Sequence, residues 1–202
     1  WRPCSWQSRN GNESALADSG PVSLLGLDLG TTGCKALAFD EEGAVLAGAY
    51  REYPLLNPRP GFFELDPDLV WSHLVDCIRE VNGSTAGDPV KALAVSAQGE
   101  AVIPVSDTSQ VLANSPVTAD NRALQQADQL RDRLGSERIY TITGQPLHGQ
   151  FSFPKIMWWQ QHDPALFERT WKFLCYGDFV LQRLHLQPVI DFTMAARTLG
   201  FA

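Results

Sequence analysis

Leu25-Gly-Leu-Asp-Leu-Gly-Thr-Thr-Gly-Cys-Lys35 is the stretch that decides the fold of this chain. It closes an apolar run, Val22 to Leu29, whose single acid, Asp28, lies near the end. Two glycines, two threonines and a lysine follow, and then a second apolar run, Ala36 to Phe39. That order predicts strand, tight turn, strand. Gly30 and Gly33 are free to take positive φ and put no side chain in the way of a ligand. Backbone amides and the hydroxyls of Thr31 and Thr32 can then surround phosphate oxygens. Asp28 is placed to meet the Mg²⁺ that accompanies a nucleotide, directly or through water. The segment is not a Walker A loop, because Gly-x-x-x-x-Gly-Lys-[Ser/Thr] is nowhere matched and no helical pattern follows. The competing reading is an ordinary β-hairpin with a Gly-Thr turn. Against it, Asp28 has only apolar or glycine neighbours, where an unpaired carboxylate is costly. The turn also gathers Gly30, Thr31, Thr32 and Lys35, all suited to phosphate, within six positions.

Outward from this hairpin the pattern alternates strands and helices. A third strand is expected from Ala44 to Tyr53, after a turn at Glu41-Glu42-Gly43, and Pro54 to Gly61 reads as a loop. Asp66-Pro67 opens a helix with the acid as cap, the proline in the first turn, and Leu69, Val70, Leu74, Val75 and Ile78 as the apolar stripe. Val90 to Ala97 reads as a buried strand and Ala101 to Val105 as its hairpin partner. Asn121 to Leu134 is polar and helical, with Gly135 past its end. Two short helices are expected over Phe153 to Gln161 and Pro164 to Arg169. Lys172 to Tyr176 reads as a brief strand, and Asp178 as the cap of a helix through Leu184. There are no internal repeats. Trp1 to Gly20 are rich in Ser, Asn, Arg and Gly, without periodicity, an initiating Met or a signal-peptide core. Residues 1–21 are expected to be a disordered leader, a cloning remnant or an over-long gene start.

Composition bounds the possibilities. At 202 residues, 44% hydrophobic and 19% charged, the chain supports one soluble domain with a real core. A net charge of −7 argues against nucleic acid or an anionic membrane as partner. No apolar run approaches a membrane span. Cys4, Cys34, Cys77 and Cys175 are far apart, and His73, His148, His162 and His185 do not cluster, which argues against zinc. Scattered cysteines suggest free thiols in a reducing cytoplasm.

A second site follows the strand Val90 to Ala97. Gln98-Gly99-Glu100 leaves an amide and a carboxylate just past an apolar strand, where open α/β sheets collect ligands. Glu100 can accept from hydroxyl groups and Gln98 can do either. A polar turn of no function has the same pattern, and pattern alone leaves both readings open. Asp120 with Arg122 reads, unaided, as an N-terminal acid and a surface base. Trp158-Trp159 reads as core rather than a sugar-stacking platform. Asp191, an acid after an apolar pair at a turn, reads as a cap or a support rather than a general base.

Gly26-Leu-Asp28-Leu-Gly30-Thr31-Thr32 resembles the first phosphate motif of the actin-like ATPase superfamily. From about Val22 to its last residue the chain resembles, more narrowly, the N-terminal domain of the FGGY carbohydrate kinases. The segments that carry this are Gly61-Phe-Phe-Glu64-Leu-Asp66-Pro67, Ser96-Ala-Gln98-Gly-Glu100, Asp120-Asn-Arg122, Thr143-Gly144, Lys155-Ile-Met-Trp158 and Asp191-Phe-Thr193-Met-Ala195-Ala-Arg197-Thr198, in the family's order. The resemblance implies an α/β domain of the actin-like (ribonuclease H-like) type over residues 22–202, a mixed β-sheet flanked by helices and incomplete at its C-terminus. It implies ATP and Mg²⁺ as cofactors, with Asp28 at the metal and Gly30, Thr31, Thr32 and Lys35 at the phosphates. It places Gln98, Gly99, Glu100, Asp120 and Arg122 at the sugar.

Departures from the family narrow the substrate. Glycerol kinases usually carry Gln-Arg-Glu where this chain has Gln98-Gly99-Glu100, and a tyrosine where it has Gln150. Xylulose kinases typically show Gln-Met-His-Gly at the first site. A sugar, sugar acid or polyol longer than glycerol is therefore expected. The family closes two actin-like domains on ATP and sugar, with adenosine held largely by the second and the general-base aspartate soon after the first. Both would lie beyond Ala202, so the chain alone is expected to be inactive. The expected function is the sugar- and phosphate-binding half of an ATP-dependent carbohydrate kinase in the cytoplasm. The alternative is a non-catalytic, regulatory sugar-binding paralogue without the second domain. A homodimer stays open.

Overall fold

The computed structural model describes residues 23–200, so the expectation for residues 1–21 lies outside the described residues. Strands β1 (Ser23–Leu29), β2 (Gly33–Phe39) and β3 (Val45–Glu52) form the expected antiparallel meander. After it come the short strand β4 (Glu64–Leu65), helix α1 (Pro67–Ser84) and strand β5 (Val90–Ala97). The strand β5 returns parallel to β1, giving a mixed sheet ordered β3-β2-β1-β5.

Helix α1 forms as its sequence predicts. The Asp66 carboxylate accepts from the amides of Asp68 and Leu69, and Pro67 needs no partner for a missing N–H. Its buried stripe is Val70, Leu74, Cys77 and Val81, spaced by four, three and four residues. This stripe packs on the sheet face that carries Leu25, Leu27 and Leu29 of β1 and Cys34, Ala36 and Ala38 of β2. The small alanines let the helix come close. Leu69 and Ile78 flank the stripe, half-buried.

Beyond β5 the chain wraps that end of the sheet. The strands β6 (Ile103–Val105), β7 (Ser115–Pro116) and the later β8 (Lys172–Leu174) are short; β4 pairs with β7, and β6 with β8. Helices α2 (Leu124–Leu134), α3 (Ser136–Thr143), α4 (Ser152–His162), α5 (Pro164–Arg169), α6 (Tyr176–Arg183) and α7 (Phe192–Ala196) complete the described chain. The helix α6 contributes Tyr176, Phe179 and Val180 to the same core as α1.

Four expectations are corrected. The strand β5 is largely exposed, because it ends the sheet and its outer edge is unpaired among the described residues. Ile103 to Val105 pairs with β8 instead of doubling back on β5. Helix α2 begins at Leu124, not Asn121, because Asp120 and Arg122 are held by side-chain contacts of their own. Asp178 sits in the first turn of α6, where it accepts from the amide of Cys175, which is the capping residue. Helices α3 and α7 were not anticipated.

Candidate phosphate and sugar site

The turn between β1 and β2 is closed by a hydrogen bond from the Gly30 amide to the Gly33 carbonyl, 2.9 Å. Neither glycine takes positive φ, contrary to expectation. Gly33 is needed for closeness instead: a Cβ there would lie 2.6 Å from the Arg51 carbonyl oxygen and 2.7 Å from the Tyr50 ring. Tyr53 braces the turn, its amide donating to Thr32 O at 3.2 Å and its hydroxyl to Gly30 O at 2.7 Å. The amides of Thr31 and Thr32 donate to nothing among the described residues. They and the two hydroxyls fit phosphate oxygens. Beside them opens a hollow of about 460 Å³ lined by Thr32, Glu52, Tyr53 and Pro54.

Alternation along β1 turns Asp28 to the face opposite α1, where it is exposed. The cost expected for a carboxylate among apolar neighbours is therefore absent, since those neighbours point the other way. Lys35 lies directly across from Asp28 in the β1–β2 register and sits over the Tyr50 ring, 5.7 Å from its centroid. Among the described residues no three His, Cys, Asp or Glu gather as a metal cage. A lone exposed carboxylate beside a phosphate turn suits Mg²⁺, which is usually held by one or two carboxylates, water and the substrate's phosphates.

Gln98 joins the phosphate turn to the second site. Its amide donates to Leu29 O at 2.8 Å, its side-chain nitrogen to Gly30 O at 3.3 Å, and its side-chain oxygen accepts from Thr31 Oγ1 at 3.4 Å. The two motifs, nearly seventy residues apart in sequence, therefore share one residue.

Glu100 takes φ 62°, a left-handed conformation that a non-glycine residue adopts at the expense of roughly 1–3 kcal/mol. Its carboxylate is only 2% exposed: Oε2 accepts from Thr118 Oγ1 at 2.9 Å and Oε1 from Arg197. Its carbonyl oxygen accepts from Ser152 Oγ and Lys155 Nζ, both at 3.2 Å. Asp120 is fully buried. Its oxygens accept from Phe63 N (2.7 Å) and from Arg122 N, Nε and Nη2 (3.0, 2.9 and 2.8 Å). Arg122 also reaches Glu64 at 2.6 Å and lies over the rings of Phe62 and Trp158. Far from being a surface base, it is enclosed with two carboxylates. Breaking such a buried arrangement from one side typically costs about 3–5 kcal/mol.

Lys155 is a second enclosed cation. Its ammonium donates to the carbonyls of Glu100, Pro116 and Val117, the last at 2.9 Å. Burial pulls its pKa down to about 7, partly offset by the charges of Asp120 and Glu100. It thereby ties the turn after β5 to the end of β7 and the approach to Asp120. Trp159 is core, stacked on Phe173, as expected, whereas Trp158 is half-buried beside Arg122 and His162. Asp191 caps α7, accepting from the amides of Thr193 and Met194, which agrees with its reading as structural.

The structure thus gathers Asp28, Gly30, Thr31, Thr32, Gln98 and Gly99 at one end of β1 and β5. It sets Glu100, Asp120 and Arg122 behind that surface, each occupied by this chain's own groups. Lys155, Glu64 and Arg197 were missed as site residues. Lys155 and Arg197 lie in segments already noted, but nothing local says that either reaches a turn that is 55 or 97 residues away.

Among described residues no helix is long and apolar enough to cross a membrane. The chain is 28% identical over 175 residues to the xylulose kinase of Klebsiella pneumoniae, covering 87% of this chain and 36% of that protein. It is 36% identical over 141 residues to the glycerol kinase of Gloeobacter violaceus, covering 69% and 28% respectively. The solved gluconate kinase of Lactobacillus acidophilus superposes with a TM-score of 0.81 at 27% identity, over 89% of this chain and 36% of that one. The chain spans about a third of the length of the relatives it matches. Residues 23–201 match the profile of the FGGY family of carbohydrate kinases, N-terminal domain, and the chain belongs to that family.

Proposed function

We propose that this chain is the sugar- and phosphate-binding part of an ATP-dependent carbohydrate kinase, a phosphotransferase acting on an alcohol group. The observation that carries the reading is the contact of Gln98 with both Gly30 and Thr31. A turn suited to phosphate and a turn suited to hydroxyls then lie within one side chain of each other, as transfer between them requires. The amides and hydroxyls of Thr31 and Thr32, with Gly30, would hold the β- and γ-phosphates. Lys35 stands on the same face as a further cation, and Asp28 would hold Mg²⁺. The nucleotide's metal, when bound, neutralises charge on the transferring phosphoryl group. The chain's residues position both reactants around it.

Gln98 and Gly99 would form the sugar wall, with Glu100, Asp120 and Arg122 bracing it from behind. Cys34, Cys77 and Cys175 are buried free thiols, in keeping with a cytoplasmic enzyme. The activity would belong to the whole polypeptide, since the matched residues make up only 36% of the relative's length. The 202-residue chain by itself is expected to transfer no phosphoryl group. The test is Mg-ATP-dependent phosphorylation by the complete protein across a panel of sugars, sugar acids and polyols. Product with at least one of them supports the kinase. ATP-independent sugar binding without product from any would favour the regulatory paralogue.

A further inference from the structure

Gly99 has no side chain, yet the space one would fill is taken. A Cβ built at Gly99 collides with Arg197 Nε and lies 3.1 Å from both Arg197 Cδ and Cζ. Arg197 ends α7 and arrives at this turn from almost a hundred residues away. Its guanidinium donates from Nη2 to Glu100 Oε1. Among the described residues it meets no other acceptor, and its side chain is 51% exposed, against 2% for Glu100. An arginine has five N–H donors in a planar fork. One is spent on Glu100. Its Nε lies against Gly99, and the half-exposed guanidinium has donors left for a ligand.

Glu100 itself is shut away: Thr118 and Arg197 cover its two oxygens, and Lys155 and Ser152 hold its carbonyl. The carboxylate cannot meet a ligand without losing these partners, whereas the guanidinium can. We propose that Arg197 is the residue that contacts the sugar in this pocket, and that Glu100 is a positioning residue which aims it. The inference rests on the kinase reading above. A guanidinium only donates, so the substrate presents acceptor oxygens to it, either adjacent hydroxyls or a carboxylate. Gly99 is then required as the vacancy into which the arginine fits.

The test is a set of coupled variants of the complete kinase, R197A, R197K, E100Q, G99A and the doubles R197A/E100Q and R197A/G99A. Removing the guanidinium is expected to raise the KM for sugar by about tenfold or more while leaving the KM for ATP within about twofold. R197K keeps the charge without the fork and should recover only part of this loss. E100Q and G99A should each raise the sugar KM alone, and add less than about twofold in the R197A background, because both act through the guanidinium. A larger R197A effect on aldonic acids than on the matching polyols assigns the contact to a carboxylate, and equal effects assign it to hydroxyls.

An R197A effect below about twofold, or an E100Q effect that multiplies fully with R197A, overturns the proposal. Thermal unfolding of the same proteins is a second readout. G99A should lower the midpoint when Arg197 is present and not in the R197A background; equal shifts in both backgrounds also overturn it. A wild type inert on every sugar overturns the kinase reading and the substrate contact with it. The unfolding cycle still decides whether the guanidinium occupies the space at Gly99.

Discussion

At the scale of the residue, Asp28 and Glu100 show how burial separates roles that a sequence cannot. Both are acids near the end of a largely apolar strand, Asp28 within it and Glu100 just past it. Strand alternation turns Asp28 outward, exposed and with no side-chain donor on its oxygens among the described residues, while the turn after β5 folds Glu100 inward among four donors. Substituting Asp28→Asn in the complete kinase should therefore leave folding stability within about 0.5 kcal/mol, as for surface changes generally. It removes the charge that would hold Mg²⁺, and kcat should fall by about two orders of magnitude or more, the scale of lost electrostatic stabilisation. Denaturant unfolding and steady-state kinetics on one preparation check both halves. A variant with normal turnover would exclude the metal role. The strand, the turn and the acid near the strand's end were legible in the sequence, but the side Asp28 faces was not: it is the open one, so no burial penalty forces a partner upon it.

At the scale of the element, the hairpin, α1 and its Asp66 cap were legible because their signals are local: period, cap and turn lie within a few residues. The exposure of β5 and the pairing of β6 with β8 were not, since sheet order and non-local pairing leave no local trace. Lys155 is the clearest case, a helix residue whose ammonium ties together the β5 turn and β7. Lys155→Met keeps the stem and leaves three carbonyls without their donor. The loss should be about 2–4 kcal/mol in denaturant unfolding, since each buried orphan is worth about 1–3 kcal/mol and neighbours do not add fully. The pH dependence has a definite sign. Between the folded pKa of about 7 and the unfolded value of 10.5, the unfolded chain binds more protons at Lys155. Its contribution is thus present in full above 10.5 and lost as pH falls to about 7. The stability of wild type minus that of K155M should rise from pH 7 to pH 9, by up to about 1.4 kcal/mol per pH unit. A flat difference would show that the amine stays charged in the fold.

At the scale of the whole molecule, substrate choice follows from how the two turns meet. The glycerol kinase of Gloeobacter violaceus is 36% identical to this chain, but overall identity is dominated by the core that both must build, not by the few residues at the sugar. At those residues this chain has Gly99 and Gln150. Gly99 admits the guanidinium of Arg197, and Gln150, half-buried just before the helix that carries Lys155, stands where the resemblance to glycerol kinases implies a tyrosine. If Gln98, Arg197 and Gln150 face the ligand, the donors their own contacts leave over would take oxygen partners from it. A three-carbon polyol has too few oxygens to reach such separated groups, and each group it leaves unmet weakens binding by roughly 1–3 kcal/mol. The complete enzyme should therefore prefer a ketose, sugar acid or polyol of five or six carbons over glycerol, and kcat/KM across a size-graded panel measures this. With one such group unmet, glycerol should trail by about tenfold or more. If glycerol proves the best substrate, the pocket is closed by residues outside this domain, and the kinase assignment stands without the specificity argued from Gly99 and Gln150.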